Sequence, residues 1–450
     1  MDGGRRRAHD LAHSFVSVVT TWRSQYYAAA CIVLFLATLA RYWVSYDPSA
    51  SEVGEGWRLA HNLLNEHQFA NPFEPLDTGP SALQAPAWVV FLAFLMKTFG
   101  GGNAGDVYAI RWGAVLIIAL TTALFPVFSR RLGMGELNGI IGACIWILAK
   151  PMMMPWYEFY GAILLAVTCY VYRGYLEQPA QKAGRPAWIL GCLMGFLMLT
   201  IPTVAPILAA GLAWEIWRRK IAFFRESLLP LVLLPALIVT PWTVRNYLVF
   251  HTFVPVRDGF GLELSQSNND CAQFSAVLIW TTSGCSANRH PNGNLNEARK
   301  VLELGEPKYF ELRQQEALHW IGDHPARFLE LTAMRFVFFW MPSESGTIHV
   351  GHGRHLERVV IYLMTLLSGA GLLTLYQKDA RSAAICMSCL TLYPLVYYIV
   401  AFDARYRDPI MWVTFLLGAL PITTYMMRWF WHALYTTNAV RLREHRHDNV

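Results

Sequence analysis

Residues Ala28–Ala40 read AAACIVLFLATLA, a run that holds no charged side chain. Such a block must lie in lipid or deep inside a helix bundle, because it offers no polar face to water. Arg5, Arg6, Arg7 and Arg23 stand on its N-terminal side, and a polar segment, Asp47 to Ala85, follows it. Basic residues stay on the cytoplasmic side of a span. The first span, near Tyr27 to Tyr46, is therefore expected to lead outward from a cytoplasmic N-terminus. No small-residue cleavage site follows it, so it reads as an anchor and not a removable signal peptide.

The rest of the chain repeats this pattern. Hydrophobic residues make up 54% of the 450 residues and charged residues 15%, against about 25% charged in ordinary soluble domains. The 17 Trp and 20 Tyr are residues that favour the headgroup level of a bilayer. The net charge of +6 comes from short basic clusters between apolar blocks. That placement reports topology and excludes a nucleic-acid partner as its explanation.

Assigning each basic cluster to the inner side orders the chain. The block Pro86 to Phe99 falls short of the roughly 20 residues a span needs, so it reads as an interfacial helix on the outer side. Ile110 to Phe128 then returns inward and delivers Arg130 and Arg131 to the cytoplasm. Further spans are expected at Gly139 to Met154, Tyr160 to Tyr172, Trp188 to Thr200, Val204 to Trp217 and Leu228 to Trp242. After a long polar segment come Val359 to Tyr376, Ala383 to Val400 and Ile410 to Trp429. Phe328 to Met341 has outer segments on both sides and reads as interfacial or re-entrant. The expected fold is an all-α polytopic membrane protein of about ten transmembrane helices, with interfacial helices in large extracytoplasmic loops. Its parts are a cytoplasmic N-terminus (1–26), a transmembrane module (27–244) carrying the outer loop 47–106, and an extracytoplasmic segment (245–346). C-terminal transmembrane helices (347–430) and a basic cytoplasmic tail (431–450) complete it. No internal repeat or low-complexity tract is evident.

Cysteines and histidines add little chemistry. Cys31, Cys144, Cys169, Cys192, Cys386 and Cys389 lie in apolar spans, where thiols act as small hydrophobes. The Cys386-x-x-Cys389 spacing falls on one turn of an apolar helix, the wrong context for a redox site. Cys271 and Cys285 both lie in the second outer segment, where an oxidising compartment allows a disulfide. His349, His352 and His355 read as a solvated turn, because only Glu357 sits near them as a further ligand.

No phosphate-binding glycine loop, nucleophile elbow or H-E-x-x-H motif occurs where its mechanism would need it. What remains are carboxylates and arginines at the outer membrane face. Asp47, Glu52 and Glu55 follow the first span, and an acid there can act as a general base; a span exit into water also carries acids without any catalytic role. Arg245 follows Pro241 and Trp242 at a span exit, and Arg405 and Arg407 lie in the turn Phe402 to Pro409. Arginine suits bidentate phosphate binding, and it also snorkels to anionic headgroups.

These residues resemble a known group. Glu55-Gly-Trp-Arg-Leu-Ala-His-Asn-Leu-Leu, Gln68-Phe-Ala-Asn-Pro-Phe73 and Thr78-Gly-Pro80 resemble the first outer loop of bacterial GT-C membrane glycosyltransferases. Those are relatives of protein O-mannosyltransferases and of lipid A aminoarabinose transferases. Pro241-Trp-Thr-Val-Arg-Asn-Tyr247, Phe253-Val-Pro-Val256, Gly261-Leu-Glu-Leu264 with Asn268-Asn269, and Arg405-Tyr-Arg-Asp-Pro409 are similar to later segments of the same group. The resemblance implies inverting sugar transfer from a polyprenyl-phosphate donor to an acceptor on the extracytoplasmic face of a cell's inner membrane. Within it, Glu55 is the expected base, on the pattern E-x-x-R-x-A, and Glu52 the second candidate. An adjacent Asp-Glu pair found in better-known relatives is missing. Arg245, Arg405 and Arg407 are expected at the donor phosphate. Glu158, Arg58, Asn246, Glu263 and Asn268 are expected to line the cleft. No metal or cofactor is implied, and the acceptor stays unnamed. The competing reading is a transporter or flippase of a lipid-linked molecule, which favours charges within spans and paired repeats of hydropathy; a non-catalytic assembly subunit is a third.

Overall fold

The computed structural model describes residues 24–43, 54–74, 76–149, 157–179, 184–281, 288–342 and 355–447. Asp47, Glu52, Cys285, His349 and His352 lie outside the described residues. Among those described, the chain is helical; its only extended pairings are isolated bridges, Ala70 with Pro80 and Ser275 with Phe402.

Each apolar block forms a helix. In order these are α1 (Ser24–Trp43), α2 (Glu55–Asn65), α3 (Pro86–Phe99), α4 (Asn103–Ala123), α5 (Phe125–Arg131), α6 (Glu136–Ala149), α7 (Tyr157–Tyr175), α8 (Gly184–Thr200) and α9 (Ala205–Arg219). Two π-helical turns, Phe223–Ser227 and Leu229–Leu233, lead into α10 (Leu234–Phe250). The polar segment carries α11 (Phe260–Ser267), α12 (Ala276–Thr281), α13 (Leu295–Leu304), α14 (Glu306–Asp323) and α15 (Pro325–Trp340). The chain then returns to the bundle with α16 (His355–Lys378), α17 (Ala380–Leu392) and α18 (Asp408–His447).

Among the described residues, five stretches are long and apolar enough to cross a bilayer: Tyr26–Trp43, Gly105–Ala123, Leu229–Phe250, Leu356–Lys378 and Ala404–Phe430. Helices α3, α6 and α8 are apolar but shorter. Leu237, Leu248, Leu366 and Leu373 point outward from α10 and α16, as helices with hydrocarbon for a solvent allow. The chain is a multi-pass membrane protein.

Helix α3 has the bounds expected from sequence, with proline in its first turn and Gly100 closing onto the Met96 carbonyl at 2.9 Å. Helix α10 instead runs past Trp242 to Phe250, because Val244, Tyr247, Leu248 and Val249 continue its outward apolar surface. It stops where His251 turns left-handed, at φ 55°. Arg245 therefore lies on a helix and does not open a loop. The block expected at Ala383 to Val400 breaks after Leu392 and continues as the 3₁₀ segment Tyr393–Tyr398, since Pro394 has no N–H to give an α-helix.

The centre of the bundle is the first half of α18. Ile410, Val413, Phe415, Leu416, Leu417 and Ala419 are fully buried there, against α6, α7 and α16. A Cβ added to Gly371 would stand 1.9 Å from the Leu417 carbonyl oxygen, and one at Gly418 would stand 2.7 Å from that of Met364. Small residues let α16 and α18 approach to backbone contact, the usual device where lipid removes the hydrophobic drive. Asn138 of α6 ties in by donating to the Leu416 carbonyl at 3.0 Å and accepting from the Thr423 hydroxyl at 3.1 Å. Gly371→Leu is expected to lower stability by about 1–3 kcal/mol, seen as a fall in thermal midpoint in detergent; an unchanged midpoint would mean that this contact can open freely.

Charged residues gather at two opposite ends. One end holds Arg130 with Glu136 at 2.8 Å, Arg131 with Glu177 at 3.1 Å, Arg173 with Asp379 at 2.8 Å, and Glu215 with Arg219 at 2.8 Å. The other end holds Glu55, Glu158, Arg257, Glu263 and Arg405, where the polar segment covers the bundle.

Candidate active site

Glu55 is the first residue of α2, after Gly54 in extended conformation. A carboxylate is favoured at a helix N-terminus, where free N–H groups and the helix dipole converge. Its Oε1 accepts a hydrogen bond from Asn292 Nδ2 at 2.6 Å and lies 3.8 Å from His290 Nε2. Asn292 organises this corner. Its Oδ1 accepts from the Glu74 backbone N–H at 3.0 Å and from Arg58 at 3.4 Å, while Arg58 pairs with Glu74 at 2.6 Å. His290 Nδ1 accepts from the Asn292 backbone N–H at 3.0 Å. Burial pushes the His290 pKa down to about 4, so the ring is neutral at pH 7. With Nδ1 accepting, its proton sits on Nε2, the nitrogen that faces Glu55.

A second cluster is built from the start of α7 and the turn before α18. Asp403 caps the 3₁₀ turn Ala404–Arg407 by accepting from the Arg405 backbone N–H. Arg405 Nε stands 3.6 Å from Asp403 Oδ2 and 4.0 Å from Glu158 Oε1. Glu158, in the first turn of α7, is completely buried, whereas 19% of the Arg405 side chain remains exposed. The guanidinium of Arg257 lies 5.1 Å from the centre of the Tyr157 ring. Glu263, half-buried on α11, is an acid whose charge acts on His290, Arg257 and Tyr406. Together the two clusters set a hydrogen-bonded carboxylate and a guanidinium at one end of the bundle. The arrangement can take a proton and hold an anion.

Other sequence candidates point elsewhere. Arg245 donates to the carbonyls of Ser81 at 2.8 Å and Phe69 at 3.0 Å, and stacks near Trp242; it pins the loop between α2 and α3 to α10. Asn246, fully buried, donates to the Val254 carbonyl at 3.0 Å. Arg407 is buried and donates to the Trp340 carbonyl at 2.8 Å and the Thr365 hydroxyl at 2.6 Å. Asn268 donates to the Leu264 and Ile399 carbonyls and accepts from Arg335. Of the three arginines, the structure brings only Arg405 to Glu158. Cys271 is disulfide-bonded, and its expected partner, Cys285, lies outside the described residues.

Sequence reasoning missed His290, Asn292, Arg257, Tyr157 and Asp403. His290-Pro-Asn-Gly reads as a turn, and nothing local says that the turn packs on a helix start far earlier in the chain.

The loop between α2 and α3 is held by an unusual acid. Glu306, at the start of α14, is buried and accepts from the Ala82 backbone N–H at 2.5 Å. Burial pushes its pKa up to about 8, so it is mostly protonated at pH 7. A raised folded-state pKa means stability that is complete below about pH 4.5 and is lost as pH rises toward 8. Glu306→Gln keeps the acceptor but cannot ionise. The variant is expected to match wild type near pH 4.5 and to exceed its thermal midpoint increasingly up to pH 8. A midpoint difference that does not change with pH would contradict this.

No protein-family model matches the chain, and no curated protein sequence does. Solved structures do. The oligosaccharyltransferase of Archaeoglobus fulgidus in its apo form aligns with TM-score 0.54 at 11% identity, over 93% of this chain and 52% of that one. The oligosaccharyltransferase AglB of the same archaeon, in complex with an inhibitory peptide and a dolichol-phosphate, aligns with TM-score 0.54 at 12% identity over the same shares. The chain thus spans about half the length of the structures it matches. Likeness at this identity shows architecture, and what it shows is that this chain has the all-α GT-C membrane fold.

Proposed function

We propose that the protein is an inverting glycosyltransferase that moves a sugar from a polyprenyl-phosphate donor to an acceptor at the extracytoplasmic face of the inner membrane. The observation that carries this reading is the pair of clusters at one end of the bundle: Glu55, which accepts from Asn292 and faces His290, and Arg405, which stands beside Asp403 and Glu158. The clustered arginines of the opposite end suit a cytoplasmic side, which supports an outward-facing Glu55 end.

In this reaction Glu55 takes the proton of the acceptor as its nucleophilic atom attacks the anomeric carbon. The bond from that carbon to the phosphate oxygen breaks, and its electron pair leaves with the polyprenyl phosphate. Arg405 stabilises the departing phosphate, a charge that develops only as the bond breaks. Glu158 and Asp403 hold the guanidinium in place. Arg245 and Arg407 shape the site by fixing the loop and helices around it. Glu52 is the second candidate for the base. The bilayer keeps the donor at the site and lowers the entropic cost of the encounter. The dolichol-phosphate held by one of the matched structures supports a lipid-phosphate donor, and the sugar is a hexose or pentose.

The test is donor consumption by purified protein in liposomes containing radiolabelled polyprenyl-phosphate sugars and a host membrane extract. Release of the label from lipid is expected. Label that crosses the bilayer still attached to its lipid would replace the transferase with a transporter or flippase.

A further inference from the structure

A polar cavity of about 510 Å³ lies in the extramembrane segment, outside the cluster just described. Its size falls in the range of small-molecule sites, about 300–1,000 Å³. Arg313 of α14 and Glu297 of α13 line it as a direct ion pair. Arg313 also pairs with Glu316 at 2.6 Å, and Glu297 accepts from Tyr309 at 2.7 Å, so both charges are fixed before any ligand arrives. The Arg313 side chain is only 7% exposed, and its buried Nε–H has no acceptor among the described residues. A buried donor without a partner costs free energy until something supplies an acceptor.

The walls narrow the class of ligand. Asp270, Asn288, Arg289 and Trp320 also line it, and the Trp320 indole N–H donates to Asp270 at 2.8 Å. Three acids, Asp270, Glu297 and Glu316, outweigh the two arginines; a phosphate or other strong anion meets net repulsion. Few surfaces here suit a lipid tail. Planar hydrogen-bonding side chains beside an indole suit a neutral molecule with many hydroxyls and apolar ring faces. We propose that this cavity is a binding site for neutral oligosaccharide. Asn288 and Arg289 immediately precede His290 and Asn292, which contact Glu55, so one short stretch of chain forms a wall of both sites. Its use as the acceptor subsite rests on the transferase reading; its binding of sugar does not.

Saturation-transfer NMR on the full chain in nanodiscs tests this, with neutral trisaccharides of glucose, mannose and N-acetylglucosamine as probes. A phosphorylated sugar and an unrelated peptide serve as comparison ligands. Wild type is expected to transfer saturation to at least one neutral trisaccharide. Trp320→Ala and Arg289→Ala, both at half-buried positions that leave the ion pair intact, are expected to weaken the signal at least tenfold, and Lys308→Ala, at an exposed position outside the lining, to leave it unchanged. No signal from any neutral sugar, equal signal in the wall variants, or preference for the phosphorylated sugar or the peptide would overturn the proposal. Sugar binding without any donor consumption would refute the transferase alone.

Discussion

Glu55→Gln is expected to lower sugar transfer about a hundred- to ten-thousand-fold, the contribution typical of general acid–base catalysis. The substitution keeps an acceptor oxygen for Asn292 Nδ2, now at 2.6 Å from Oε1, and keeps the size of the side chain. It removes only the capacity to take a proton. The thermal midpoint and the donor KM are therefore expected to stay near wild type while kcat falls, which separates lost chemistry from lost packing. Initial rates with a labelled donor measure this. A midpoint that falls with the rate would assign Glu55 to the Asn292–Arg58–Glu74 corner as a structural acid. Loss confined to Glu52→Gln would keep the reaction and move its base.

Arg405→Gln is expected to be the most destabilising single change at the site. It removes the cation 4.0 Å from the fully buried Glu158 carboxyl; burial favours the protonated form of that acid, so the loss is expected to be about 1–3 kcal/mol. Two effects are then mixed, lost stability and lost donor binding. The double variant Arg405→Gln/Glu158→Gln separates them, because it removes the buried acid together with its partner. Its thermal midpoint is expected to recover most of the loss while transfer stays absent. If activity returns with stability, Arg405 serves the fold and the phosphate binds elsewhere.

Much of the architecture is legible in the chain because lipid leaves few options. An apolar block with no charge must be a helix there, and α3 even ends where Pro86 and Gly100 punctuate the sequence. The same rule failed at Arg245. One arginine on a helix flank can serve the backbone of a loop, so the apolar run around it continued to Phe250 as part of α10.

The site was legible only in residue type. Arg405 and the acids of the first loop stand out because charges at a membrane face are costly and few, but only the family resemblance singles out Glu55 as the base and puts Glu158 in the cleft. Which way an arginine turns is a tertiary matter. Arg405 and Arg407 are two residues apart, yet one meets Glu158 and the other the Trp340 carbonyl. His290 and Asn292 reach Glu55 across the whole of the bundle's first half in sequence, and no local pattern encodes that contact. Asn246 and Asn268 carry the right chemistry for a cleft, but their amides are engaged by backbone carbonyls.

The anomeric configuration of the product tests the central claim most directly. Purified wild-type protein in nanodiscs would be given a polyprenyl-phosphate sugar of known anomeric configuration and the acceptor recovered for NMR. A single displacement with Glu55 as base predicts a product of inverted configuration, formed by wild type and absent with Glu55→Gln. A retained configuration would require a double displacement or attack from the face of the leaving phosphate, and it would contradict the account even if transfer were fast.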